Sequence, residues 1–252
     1  MTYCTGILVK EGLVMIADTR TNAGIDNVST FRKLNVIEHP GERVIATASA
    51  GNLSLSQSVM GLVGEGLKNP NTGRVERLDT VPNMFRAAQL IGLALRQIRR
   101  ELGDALEEAG VPFDVSFLLG GQIKGYPPRL YMIYAASNFI ECGTDDPFLQ
   151  IGEHKYGKPI LDRAITYDID LYDALKIGLI SVDSTMRSNL GVGLPIDVTV
   201  IRRDGLQCEL MTRIEADDAY FQALRTSWSE ALREAHNNIP RPPYQGVDIN
   251  RK

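Results

Sequence analysis

Thr2 follows the initiator methionine, and removal of Met1 would place two reactive groups on one residue. Its hydroxyl is a nucleophile, and its α-amine would have a reference pKa of about 7.7–8.0, close enough to neutrality to take the hydroxyl proton. No histidine is required. Thr2 is small enough for aminopeptidase removal of Met1, so that processing is expected. Small polar residues commonly follow an initiator methionine, so the threonine alone says little. Asp18 closes one apolar run and Lys33 precedes another. Taken singly, Asp18 reads as a strand-end aspartate capping a turn, and Lys33 as a solvated lysine. Taken together with Thr2 they form a unit with a purpose. A buried ammonium beside the threonine would favour the developing alkoxide, and the aspartate would offset the ammonium's desolvation.

Other constellations are weaker. Thr47-Ala48-Ser49-Ala50-Gly51 has the look of a serine elbow between a strand and a helix, but the first glycine of that motif is missing. Gly152 to Lys158 spells G-x-x-x-x-G-K, yet Pro159 follows, removing both the magnesium-binding hydroxyl and one cradle N–H. His39, His154 and His236 are far apart and show no metal-ligand spacing, so neither metal nor cofactor is expected. Cys4, Cys142 and Cys208 are scattered and odd in number, which fits a reducing compartment better than a disulfide framework.

The elements that must position these residues follow from periodicity. Runs at 3–10 and 13–18, joined at Glu11-Gly12, predict a hairpin that folds Asp18 back toward the start of the first strand. Both runs are almost continuously apolar, so their sheet is expected to be covered on both faces. Strands are expected at 34–38 and 43–49, then a weak helix over 52–67. A strong helix over 82–108 carries Phe85, Ala88, Ile91, Leu95, Ile98, Leu102 and Leu106 at helical spacing. Pro82 suits its first turn and Gly110 its exit. Strands at 113–119, 129–135 and 138–142 precede helices at 158–166 and 171–189, the second capped by Asp170. A hairpin over 196–202 and 206–211 and a helix over 217–236, with Phe221, Leu224, Trp228 and Leu232 on one stripe, complete the folded part. Strands arrive in hairpins and helices in pairs. The expected architecture is therefore α+β, a layered sandwich of antiparallel sheets with helix pairs outside. One domain is expected over 1–236, followed by an extended proline-rich tail over 237–252.

Composition excludes several classes. The chain has 252 residues, of which 44% are hydrophobic and 23% charged, an ordinary globular balance. A net charge of −4 gives no electrostatic reason to expect nucleic acid or an anionic membrane as partner. No run approaches the ~18 apolar residues of a membrane span. No basic segment followed by an apolar one opens the chain, so a cytoplasmic location is expected.

Thr2, Asp18-Thr19-Arg20 and Lys33, followed by Ser49-Ala50-Gly51-Asn52 between a strand and a helix, resemble the proteasome β-subunit pattern. Within that superfamily the Met-Thr-Tyr start is similar to the bacterial ancestral β-subunit (Anbu) group. The resemblance implies a four-layer αββα N-terminal nucleophile hydrolase fold. It also implies a threonine peptidase in which Thr2, Asp18 and Lys33 form the catalytic core and the Gly51 N–H binds the oxyanion. Phe31 and Ser49 match positions that line the first specificity pocket. As partners it implies a peptide or amide substrate and further copies of the chain in a ring, and it raises an ATPase or adaptor that no residue identifies. The chain departs from the family pattern twice. Arg187-Ser188-Asn189-Leu190-Gly191 stands where Arg-Asp-x-x-Ser-Gly is usual, and Gly152-Glu153-His154 where Gly-Ser-Gly is usual. Either Asp183 or Ser188 is a candidate substitute for the missing family residues. Two other functions remain in view: an idle scaffold subunit, and an amidase acting on small amide conjugates.

Overall fold

The computed structural model describes residues 1–22, 28–70 and 72–244. In chain order its elements begin with β1 (Tyr3–Val9), β2 (Gly12–Asp18), a ribbon of β3 (Arg20–Asn22) and β4 (Val28–Thr30), β5 (Leu34–His39) and β6 (Arg43–Gly51). Next come α1 (Leu53–Glu65), a second ribbon of β7 (Leu67–Lys68) and β8 (Val75–Glu76), and α2 (Met84–Glu108). The strands β9 (Val115–Ile123), β10 (Arg129–Ile133), β11 (Phe139–Glu141) and β12 (Phe148–Gly152) follow. The chain then forms α3 (Lys158–Ala164), α4 (Leu171–Ser188), β13 (Ile196–Arg202), β14 (Leu210–Ile214) and α5 (Ala219–Asn238). Two compact units result, Met1–Ala216 and a second beginning at Asp217.

The first unit holds two five-stranded antiparallel sheets, ordered β12-β1-β2-β13-β14 and β11-β10-β9-β6-β5. They face each other through Cys4, Leu8, Leu13, Met15 and Ala17 on one side and Val44, Ala46, Ala48, Ala50, Leu118 and Leu130 on the other. The alternating alanines of β6 let the layers approach closely. On the outer face of the second sheet, α1 and α2 bury Leu55, Val59, Ile91 and Leu95 against Ile45, Phe117 and Leu119. On the outer face of the first, α4 packs over β1 and β2 with α3 beside it. Every residue of β1 and β2 is buried, as their unbroken apolar runs require. The layers are αββα.

Some boundaries differ from the sequence reading. The buried face of α2 is Met84, Ala87, Ala88, Leu90, Ile91, Ala94, Leu95 and Ile98. Phe85 lies one position off that stripe and is exposed, its ring meeting Phe139 edge-on at 5.5 Å. The helix starts at an Asn83 cap rather than at Pro82, because the asparagine side chain accepts the Arg86 N–H at 2.8 Å. The strand expected at 206–211 begins only at Leu210, since Asp204 and Leu206 adopt left-handed φ values of 64° and 49° that a strand cannot hold. The second unit contains α5, capped by the Asp218 side chain, which accepts the Phe221 N–H at 2.7 Å. Of the tail expected at 237–252, residues 245–252 lie outside the described residues.

Candidate active site

The β1–β2 hairpin pairs Cys4 with Ala17, and one step further it brings Asp18 beside Tyr3. Asp18 Oδ1 accepts the Tyr3 N–H at 3.0 Å and the Lys33 Nζ at 2.8 Å, while Oδ2 accepts the Arg20 N–H at 3.1 Å. Lys33 also donates to the Arg20 carbonyl at 2.6 Å. Relative exposure is 0% for Asp18, 5% for Lys33 and 8% for Thr2, so the group is largely withdrawn from water. Burial pushes the Asp18 carboxyl above its ordinary value, and the Lys33 ammonium with the Tyr3 and Gly193 N–H groups opposes that rise. Two of the three ammonium protons are engaged, one by Asp18 and one by the Arg20 carbonyl, leaving a third donor. The Asp-Thr-Arg sequence also fixes the loop after α4. The Thr19 hydroxyl donates to the Pro195 carbonyl at 2.7 Å, and Arg20 Nη1 donates to the Leu190 carbonyl at 2.8 Å.

The other flank of Thr2 is β12, a strand that sequence periodicity missed. Its end pairs Gly152 with Tyr3, and the Glu153 N–H donates to the Thr2 carbonyl at 2.7 Å. Gly152 has φ +83°, and a Cβ there would overlap the Thr2 carbonyl oxygen, so the close approach demands glycine. The Tyr3 side chain holds the same strand through Gln150. Ser181 gives its single hydroxyl proton to the Gly178 carbonyl at 2.6 Å, so the Tyr3 hydroxyl donates to Ser181 at 2.7 Å. The Gln150 amide then donates to the Tyr3 oxygen at 2.6 Å, which completes the network.

Gly51 ends β6 opposite Val115 with φ +102°, where a Cβ would overlap the Asp114 carbonyl. Asn52 follows as the cap of α1, its Oδ1 accepting the Ser54 N–H at 3.0 Å. The Ser49 N–H donates to the Lys33 carbonyl at 3.3 Å, and the Phe31 N–H to the Thr19 carbonyl at 2.8 Å. Ser49 is thus bonded to Lys33 itself and Phe31 to Thr19, the residue after Asp18, and Phe31 is 40% exposed. Ser49 is not built as a nucleophile elbow, because its strand runs on to Gly51. Beneath the site the Cys4 thiol donates to the Ser49 carbonyl at 3.7 Å, and burial raises its pKa far above the ordinary thiol range.

The two alternatives, Asp183 and Ser188, have different surroundings. Asp183 is fully buried and bonded to Arg187 at 3.1 Å, whereas Ser188 is exposed. Glu153 and Asn189 meet instead, with Asn189 Nδ2 donating to Glu153 Oε2 at 3.1 Å. Their signal in the sequence was the departure from the family pattern at those two places. No group of three or more histidine, cysteine or acidic side chains among the described residues could hold a metal ion. None of the described helices is long and apolar enough to cross a membrane.

No family profile matches the chain. The proteasome subunit beta 2 of Nitrosopumilus maritimus is 25% identical over 213 residues, 82% of this chain and 88% of its own length. Two solved structures are much nearer. A Gly-1 mutant of Anbu from Hyphomicrobium sp. strain MC1 superimposes with TM-score 0.88 at 48% identity, covering 96% of this chain and 99% of its own. The Anbu complex from Pseudomonas aeruginosa, solved as a helical assembly, gives TM-score 0.88 at 44% identity over 97% of this chain and 100% of its own. Identity of that order across nearly the whole length means that the chain belongs to the Anbu family of proteasome β-subunit-like proteins, with their N-terminal nucleophile hydrolase fold.

Proposed function

We propose that the chain is a threonine-type amide hydrolase, and a peptidase in particular, whose nucleophile is Thr2 once Met1 has been removed. The observation that carries this reading is the buried Asp18–Lys33 pair, joined at 2.8 Å and bonded to the N–H of Tyr3, one peptide from Thr2. A buried ion pair is a costly feature for stability alone, which favours a role beyond packing. In the proposed reaction Thr2 Oγ attacks the substrate carbonyl while its proton passes to the Thr2 α-amine. The remaining Lys33 donor steadies the alkoxide, and the Gly51 N–H receives the oxyanion. Collapse breaks the C–N bond, the leaving amine takes the proton from the α-ammonium, and an ester remains on Thr2. Water then adds to the ester with the amine again as base, releasing the acid and restoring Thr2. Phe31 and Ser49 shape the pocket for the substrate side chain.

A peptide boronate or epoxyketone tests this without knowledge of the substrate. Labelling of the wild type and its loss in Thr2→Ala is the expected outcome; equal labelling of both would place the nucleophile elsewhere. The chain also self-associates in this reading, as its Pseudomonas relative does. A heterologous interface that closes gives the expected ring, and one that does not close gives a helix.

A second reading, an idle scaffold subunit, draws on Arg187-Ser188-Asn189-Leu190-Gly191, where the usual aspartate and serine are absent. Met1 decides between the two, because Thr2 has no free amine while Met1 is attached. Intact mass of protein from a bacterial cytoplasm should show Met1 gone; a mostly unprocessed chain favours the scaffold. An activity screen of peptides against small amide conjugates separates peptidase from amidase.

A further inference from the structure

Resting on the N-terminal threonine reading, we propose that Glu153, held in place by Asn189, binds the α-amine of Thr2 in the processed chain and positions it for proton transfer. Glu153 is fixed beside Thr2 by its own backbone, since its N–H bonds the Thr2 carbonyl at 2.7 Å. The residue is nearly buried, at 9% exposure. Among the described residues only neutral donors hold it: Asn189 Nδ2 at 3.1 Å on Oε2 and the Lys155 N–H at 3.3 Å on Oε1. Among the described residues it forms no ion pair with lysine, arginine or histidine. A carboxylate on a nearly buried residue, with amide partners alone, is a site for a cation.

The position of Met1 marks where that cation would be. The Gly191 N–H donates to Asn189 Oδ1 at 2.9 Å. A Cβ added to Gly191 would lie 2.6 Å from Met1 Cβ and 3.1 Å from Asn189 Oδ1, so Met1 and the Asn189 amide border the same point. Cleavage of the Met1–Thr2 bond creates an ammonium at the end of β1, next to this patch. The charged groups carried by the surrounding elements are Asp18, Arg20, Lys33, Glu153, His154, Lys155, Asp183 and Arg187. Asp18 is committed to Lys33, and Asp183 to Arg187. Glu153 is the carboxylate that remains for the amine, and the Asn189 amide orients it. The pair fills, with a different chemistry, the place of the two usual motifs that this sequence lacks.

The sign of the effect follows. A carboxylate beside an ammonium favours the charged form, so Glu153 raises the amine pKa above its 7.7–8.0 reference, and Glu153→Gln lowers it by about one pH unit. The full-length protein, with Met1 removed by methionine aminopeptidase, is acetylated with acetic anhydride across pH. The rate at the Thr2 amine is read by mass spectrometry of the N-terminal peptide. The expected result is a lower midpoint in Glu153→Gln, a smaller fall in Asn189→Ala and partial restoration in Glu153→Asp. An unchanged midpoint in a folded Glu153→Gln overturns the proposal; should that variant not fold, an unchanged midpoint in Asn189→Ala does so. The assay needs no turnover. A shifted amine in a protein that no covalent probe labels sinks the hydrolase reading alone, and a labelled protein with an unshifted amine sinks this one alone.

Discussion

At the scale of single residues, the molecule sets Thr2 one peptide from an ion pair that water hardly reaches. Lys33→Ala leaves the Asp18 carboxylate buried without its counter-charge, and breaking such a pair costs about 3–5 kcal/mol. It should also lower probe labelling of Thr2 by about 10²-fold or more. Asp18→Ala should do likewise, with effects far from additive, because the two act as one unit. The informative variant is Asp18→Asn combined with Lys33→Met, which removes both charges. Denaturant melts should show much of the stability regained while labelling stays lost, and labelling regained with stability would make the pair purely structural. Thr2→Ser, keeping hydroxyl and amine, should retain part of the labelling. The pairing of Asp18 with Lys33 was anticipated from the family pattern rather than from periodicity, since taken singly each reads as an ordinary residue at the edge of an apolar run. Glu153 and Asn189 were not anticipated, because their meeting depends on a strand and a helix end with no local pattern linking them. The surroundings of Asp183 were not legible either, since its place near the end of α4 says nothing about the Arg187 guanidinium that engages it.

At the scale of elements, Thr2 is aimed by two strands that grip β1 from either side. β2 does so through the Asp18 side chain, and β12 through the Glu153 N–H. Gly152→Ala must therefore strain a left-handed backbone and push the Thr2 carbonyl away. A loss of about 1–3 kcal/mol in denaturant melts is expected, together with a sharp fall in labelling. Unimpaired labelling would mean that β12 does not position the nucleophile. The strand β12, Phe148 to Gly152, escaped the sequence reading because Gln150 interrupts its apolar run and its burial follows no alternation. The strands β1 and β2 were plain for the opposite reason, seven buried residues each. Helix capping was half legible. Asp170 was recognisable, whereas Asn83 was overlooked beside Pro82, because a proline in the first turn and one just ahead of the cap look alike in sequence.

At the scale of the whole molecule, the grouping of strands into hairpins and helices into pairs gave a layered sandwich of antiparallel sheets with helices outside, and the family resemblance gave its four-layer αββα order. The exchange of Leu118→Ala between the sheets should cost about 2–5 kcal/mol, since that leucine is fully buried in the layer the two sheets share. The division after Ala216 was not legible, because no proline- or glycine-rich linker precedes α5. Assembly is tested by light scattering at micromolar concentration. A species several times the 27.8 kDa of one chain is expected, and a monomer would contradict self-association.

The most direct test of the central claim is the site of covalent modification. The purified protein is treated with a peptide epoxyketone and digested, and the adduct is located by mass spectrometry, which reads the chain's first residue in the same spectrum. The account predicts a chain that begins at Thr2 and carries the adduct there, with none formed in Thr2→Ala. An adduct on any other residue, or a processed and folded chain that takes no adduct at Thr2, would contradict it.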